Sequence, residues 1–227
     1  MAARQTTAPL RFWPLPLAAV VLIFLATTLP NYLSFDPAQA RLPPVEDFPP
    51  HYPLLVAHIL AATIAMVAGF CQVWPWLRAR HPRLHRRAGR VYVFAGVLPA
   101  GISGLVIGAV SPFGPATATS NVILALLWLA TTAAGFHAAR QRRFAEHREW
   151  MLRSAVLTFS IIGNRVVGPV ADTLLRPGLD TTFAGSKLAL GQTTASLSAW
   201  LGWTIPLIAL ELYLINKRAR LARSRIG

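Results

Sequence analysis

Cysteine is almost absent from this chain. The single Cys71 sits inside an apolar run, so no intrachain disulfide, CxxC motif or cysteine-built zinc site can form. Acidic residues are also scarce, eight in all. Charged residues make up 13% of the sequence, about half of what a soluble domain carries. There is no long polar linker and no polar block large enough for a soluble catalytic head. No HExxH motif and no clustered Cys/His ligand set occurs, which removes the recognisable metalloprotease and zinc-finger classes.

What is present is apolar sequence in blocks of membrane-spanning length. Six blocks, near residues 12–33, 52–77, 91–110, 121–138, 150–171 and 197–215, each approach the roughly 20 residues that a bilayer needs. The expected fold is all-α: one polytopic membrane domain over 1–227, with six transmembrane helices. Ala38-Gln39-Ala40 resembles a signal-peptide cleavage site, but it lies far beyond the first apolar core, and that block reads as a span.

The net charge of +14 would suggest nucleic acid in a soluble protein. Here the basic residues occupy short loops between apolar blocks, the pattern set by anionic headgroups and the positive-inside rule. The expected partner is the phospholipid bilayer, not nucleic acid. Arg4 and Arg11 precede the first block. Arg78, Arg80, Arg83, Arg86, Arg87 and Arg90 follow the second. Arg140, Arg142, Arg143, Arg148 and Arg153 surround the junction of the fourth and fifth, and Lys217, Arg218, Arg220, Arg223 and Arg225 close the chain. A six-span path puts all of these on one side. Only Arg41, Arg176 and Lys187 fall on the other, with Arg165 inside a span. The basic side is cytoplasmic, so both termini are expected in the cytoplasm and the protein in a bacterial inner membrane.

Residues 34–51 read as an irregular outer segment, with Pro37, Pro43, Pro44, Pro49 and Pro50 and the acids Asp36, Glu46 and Asp47. Residues 172–194 form a second outer loop that turns at Pro177-Gly178. Small residues recur every four positions in the second block (Ala61, Ala65, Gly69) and the third (Ala100, Gly104, Gly108). Such faces let membrane helices approach closely, so blocks two to five are the expected bundle core.

Polar groups at membrane depth are costly and therefore informative. His58 lies six residues into the second block, and Gln72 follows fourteen residues later on nearly the same helical face. His58 suits a haem ligand, a proton relay, a quinone contact or a hydrogen-bonded interior histidine. Arg165 lies six residues from the outer end of the fifth block, at a depth like that of His58. With Asn164 it suits an anionic headgroup, a propionate or a carboxylate, or it snorkels to the interface. Glu211 and Arg153 lie near the same end of neighbouring blocks, where they suit an ion pair or, for Glu211, proton transfer.

His81, His85, His137 and His147 gather near the cytoplasmic rim. Imidazole ligates haem iron and transition metals, and His85 or His137 with His147 would supply two axial ligands to one inner haem. Arg86 and Arg153 are candidates to face its propionates. An outer haem is harder to build, because no second histidine shares the depth of His58.

Three segments carry a resemblance: AHILAATIAMVAGFCQ at 57–72, HPRLHRRAGRVYVFAG at 81–96 and HREWMLRSAVLTFSIIGNR at 147–165. Together they resemble the bacterial family of predicted membrane proteins called DUF2306. His58 and Gln72, His85-Arg86 with Gly89-Arg90, and His147, Trp150-Met151, Arg153 and Arg165 are the matching residues. That family is loosely similar to cytochrome b561-like and ferric-reductase-like proteins. The resemblance implies haem b and membrane electron transfer; quinone or a small reductant on either side would be the partner. The competing expectations are a non-enzymatic accessory or assembly subunit bound to other membrane protein subunits, and a small proton-coupled transporter using His58, Arg165 and Glu211. A metal-dependent intramembrane hydrolase ranks below these, for want of acids.

Overall fold

The computed structural model describes residues 14–41, 45 and 47–224. Arg4, Arg11, residues 12–13, Pro43, Pro44, Glu46 and Arg225 lie outside the described residues. Among the described residues, six helical stretches are long and apolar enough to cross a membrane: Pro14–Leu33, His51–Val73, Pro82–Ala109, Pro115–Arg140, Phe144–Gly178 and Lys187–Arg223. They are the first to sixth spans below. The protein is an all-helical, polytopic membrane protein.

The helices outrun the apolar blocks. The sixth has 37 residues, about 55 Å of helix against a hydrocarbon layer of about 30 Å. Hydropathy marks the part that must lie in lipid, while backbone hydrogen bonding continues into the headgroup zone. Two expected loops are therefore partly helical. The arginine-rich segment after the second span is a helix from Pro82, with proline at a position where its missing N–H costs nothing. The residues before 197 are also helical from Lys187, because Ser186 caps that helix by accepting from the Ala189 N–H at 3.2 Å. The second span stops earlier than expected. Trp74 is extended, as the residue before Pro75 prefers, and Pro75–Arg80 is a separate short helix.

The third span is not uniformly α-helical. Tyr92–Val97 is a π-helical segment, closed by a bond from the Leu98 N–H to the Val93 carbonyl. Pro99 follows. Its ring clashes with an ordinary preceding turn and it has no N–H to donate, so widening the turn before it relieves both defects.

The small-residue faces do meet. Gly96 packs so tightly on the second span that a Cβ there would sit 2.7 Å from the Ala65 Cα. Gly69 lies under the Tyr92 ring in the same way, at 3.1 Å. The core contains Ala61, Ala65, Ala68, Tyr92, Val97, Ala100, Trp128 and Leu157, and also Trp203 of the sixth span. The core is thus wider than blocks two to five. A Cβ on Gly163 would meet the Gly202 carbonyl at 2.6 Å, and this close crossing draws the sixth span in. The first span lies at the edge, where Tyr32 packs with Leu55 and Val56 of the second.

Candidate functional site

The middle of the bundle is closed by hydroxyls. The Thr158 hydroxyl donates to its own helix at the Ser154 carbonyl, 2.8 Å away. Its oxygen then accepts from the Trp128 indole N–H at 2.9 Å, and the Tyr92 hydroxyl lies 2.7 Å away. Tyr92 also meets Ser154 Oγ at 2.5 Å, and Ser154 meets Thr132 at 2.6 Å. All five side chains are buried. This network joins the third, fourth and fifth spans and leaves none of its donors orphaned, as a lipid-embedded core requires. Sequence reasoning missed it. The available signal was the four-residue spacing of Trp128 with Thr132 and of Ser154 with Thr158, which puts each pair on one helical face.

On the outer side of that plug, His58 Nδ1 lies 2.8 Å from the Ala100 carbonyl of the third span. A carbonyl only accepts, so Nδ1 carries the proton and Nε2 keeps its lone pair. Nε2 has no hydrogen-bond partner among the described residues. Gly104 makes room for the ring: a Cβ there would lie 3.0 Å from Cε1. On the other side of the plug, Gln72 donates to the His85 carbonyl at 2.9 Å, and Gly89 leaves space for its amide. His58 and Gln72 therefore both reach the third span, as their fourteen-residue spacing implies.

At the basic end His147 repeats the arrangement of His58. Its Nδ1 is 2.8 Å from the Gly135 carbonyl of the fourth span, so the proton is again fixed on Nδ1 and Nε2 is left unpaired among the described residues. His85 lies within coulombic reach of His147, Arg78 and Arg86. Its own Nδ1 is buried without a partner. His137 behaves differently: it is exposed, and its Nε2 faces Gln141, the residue that caps the end of its helix, at 2.7 Å. His81 stacks edge-on against Trp76.

Arg153 and Glu211 form a two-pronged ion pair across the fifth and sixth spans, Nε to Oε1 at 2.6 Å and Nη2 to Oε2 at 2.8 Å. Trp150 lies under the guanidinium at 4.8 Å from its ring centroid. The ion-pair reading of these two residues holds, and the Arg153 fork is occupied. Arg165 points elsewhere than His58: its Cζ lies 5.7 Å from the Phe24 ring of the first span. The two do not share a partner.

No group of three or more His, Cys, Asp and Glu side chains able to hold a metal ion occurs among the described residues. At the basic end His85 and His147 lie within coulombic reach of each other, as do His85 and the guanidinium groups of Arg78 and Arg86. Two nitrogen donors without carboxylates or thiolates suit a cofactor that brings its own equatorial ligands, such as haem, better than a bare cation. The orphaned His85 Nδ1 and the unpaired His147 Nε2 are donors of the kind such a group takes.

No curated protein and no solved structure matches the chain. The model of one family matches residues 55–214, a stretch that includes His58, Gln72, His85, His147, Arg153, Arg165 and Glu211. The chain belongs to that family, described as predicted membrane protein (DUF2306).

Proposed function

We propose that this protein binds haem b at its basic end and carries electrons in the membrane, with a quinone or a comparable small reductant as partner. The observation that carries the reading is the His147 ring. Its Nδ1 proton is held by the Gly135 carbonyl, which fixes the tautomer and aims an unpaired Nε2. Ligating histidines are commonly oriented by such a bond from their other nitrogen. His85 and His147 would hold the iron, and Arg86, within coulombic reach of His85, would face the propionates. The group would supply one-electron chemistry. The chain's own contribution is to orient the rings, to place cations at the rim and to keep water out of the middle through the Tyr92 network.

The test is the visible spectrum of detergent-purified protein from haem-replete cells, oxidised and dithionite-reduced, with a haem-to-protein ratio. A stoichiometric b-type spectrum is expected, lost in His147→Ala and His85→Ala and retained in His137→Ala. A colourless protein would sink the reading. An accessory or assembly subunit, detected by co-purification with a larger membrane complex, would then take its place.

A further inference from the structure

At the outer end, two cations converge on one stripe of the first span. Arg165, from the fifth span, lies over the Phe24 ring. Arg41, from the outer loop, donates Nη2–H to the Thr27 carbonyl at 2.7 Å. Phe24, Thr27 and Thr28 are three and four residues apart and so share a helical face. Arg165 is within coulombic reach of both Arg41 and the buried Tyr32. Thr28 adds a hydroxyl that is buried without a partner.

Two like charges held together in a membrane wall call for a counter-charge. Among the described residues neither Arg41 nor Arg165 has an ion-pair partner. Asp36 and Glu46 are each five residues from Arg41; Asp36 is engaged by the Ala38 N–H at 2.9 Å and the Gln39 amide at 3.3 Å, and Glu46 lies outside the described residues. Arg165 is on the exposed flank of its helix, next to Val166 and Val170, which are 62% and 53% exposed. It lies ten residues before the end of that helix at Leu175, or about 15 Å along the axis. An anion reaching it passes along an apolar, lipid-facing surface, which favours an amphiphile over a soluble ion.

We propose that Arg41 and Arg165 clamp the phosphate of an anionic phospholipid in the groove between the first and fifth spans. Guanidinium groups bind phosphate oxygens through paired, charge-assisted hydrogen bonds. The unpaired Thr28 hydroxyl adds a donor beside them. The lipid fills the groove and ties the peripheral first span to the bundle.

The experiment is native mass spectrometry of the full chain, exchanged into mixed phosphatidylglycerol and phosphatidylcholine nanodiscs and released with bound lipid. One phosphatidylglycerol should be retained per chain, with about a tenfold preference over phosphatidylcholine, whose phosphate is accompanied by a choline cation that the two guanidinium groups repel. Arg165→Gln and Arg41→Gln should each remove that preference, and Arg165→Lys should keep part of it. Arg41 lies in a loop, so its variant separates binding from helix packing. Glu46→Gln should leave retention unchanged. Three results would overturn the proposal: no selectivity in the native chain, selectivity that survives both glutamine variants, or selectivity that appears only without Glu46. Displacement of the lipid by millimolar inorganic phosphate would also overturn it and point to a soluble phosphate ligand.

Discussion

Removing one partner of the Arg153–Glu211 pair tests how this bundle tolerates charge. In Glu211→Gln the Arg153 guanidinium keeps its place between two spans but loses a full counter-charge and one strong acceptor geometry. Arg153 is 15% exposed and Glu211 38% exposed, so the pair is only partly shielded. Breaking a fully buried pair costs roughly 3–5 kcal/mol, and an exposed one about 0–1. An intermediate cost of about 2 kcal/mol follows. Arg153→Gln should cost about as much, plus up to about 1 kcal/mol for the lost contact with Trp150. The double variant Arg153→Met with Glu211→Leu should be close to native, because apolar replacement of a desolvated pair is often neutral. Reversible unfolding in mixed micelles, run as a double-mutant cycle with the matching single variants, measures the coupling. A coupling energy below about 0.5 kcal/mol would refute the argument and show that the pair is solvated like a surface bridge.

Other perturbations follow from the packing. Thr158→Val keeps the shape and leaves Tyr92 its bond to Ser154, but it removes the acceptor for Trp128; orphaning the indole N–H should cost about 1–3 kcal/mol, read in the same unfolding assay. Gly96→Ala drives a methyl into the Ala65 backbone and should cost at least about 1–3 kcal/mol, with loss of expression as the extreme outcome. Gly104→Ala should push His58 off the Ala100 carbonyl; the nitrogen chemical shifts of His58 would then report a mixture of tautomers in place of one. An unchanged single tautomer would mean that another group fixes the ring.

The helices and their number were legible because lipid imposes a length and a polarity that single residues cannot disguise. The Arg153–Glu211 pair was legible too, since two opposite charges at matching depth have few alternatives. The fourteen-residue interval of His58 and Gln72 gave their common face. The sequence could not give their partners, which are main-chain carbonyls of another helix and carry no side-chain signature. Nor could it give the azimuth of Arg165, which is set by helix packing and turns the residue toward Phe24 instead of His58. Helix ends were misplaced for a related reason: hydropathy falls at the interface, but Pro82 and Ser186 start helices outside it. The sixth span was left out of the core because Gly163 and Gly202 are small residues in unremarkable positions until their helices cross.

The wide turn at Tyr92–Val97 also governs the phase of the third span. Residues spaced by four drift about 40° per step around a regular α-helix, so the series Tyr92, Gly96, Ala100, Gly104, Gly108 would rotate nearly halfway around it. Six residues at the larger π-helical repeat take back about 100° of that drift. The segment acts as a vernier that keeps Gly89, Gly96 and Gly104 all against the second span, while Gly108, a further turn along the regular helix, has rotated to Asn121 of the fourth. Deleting a single residue there would restore a regular helix, and with it swing Ala100 and Gly104 away from His58 while leaving His85 and Gly89 on Gln72. The two ends of the protein are thereby set in rotation to one another by one inserted residue.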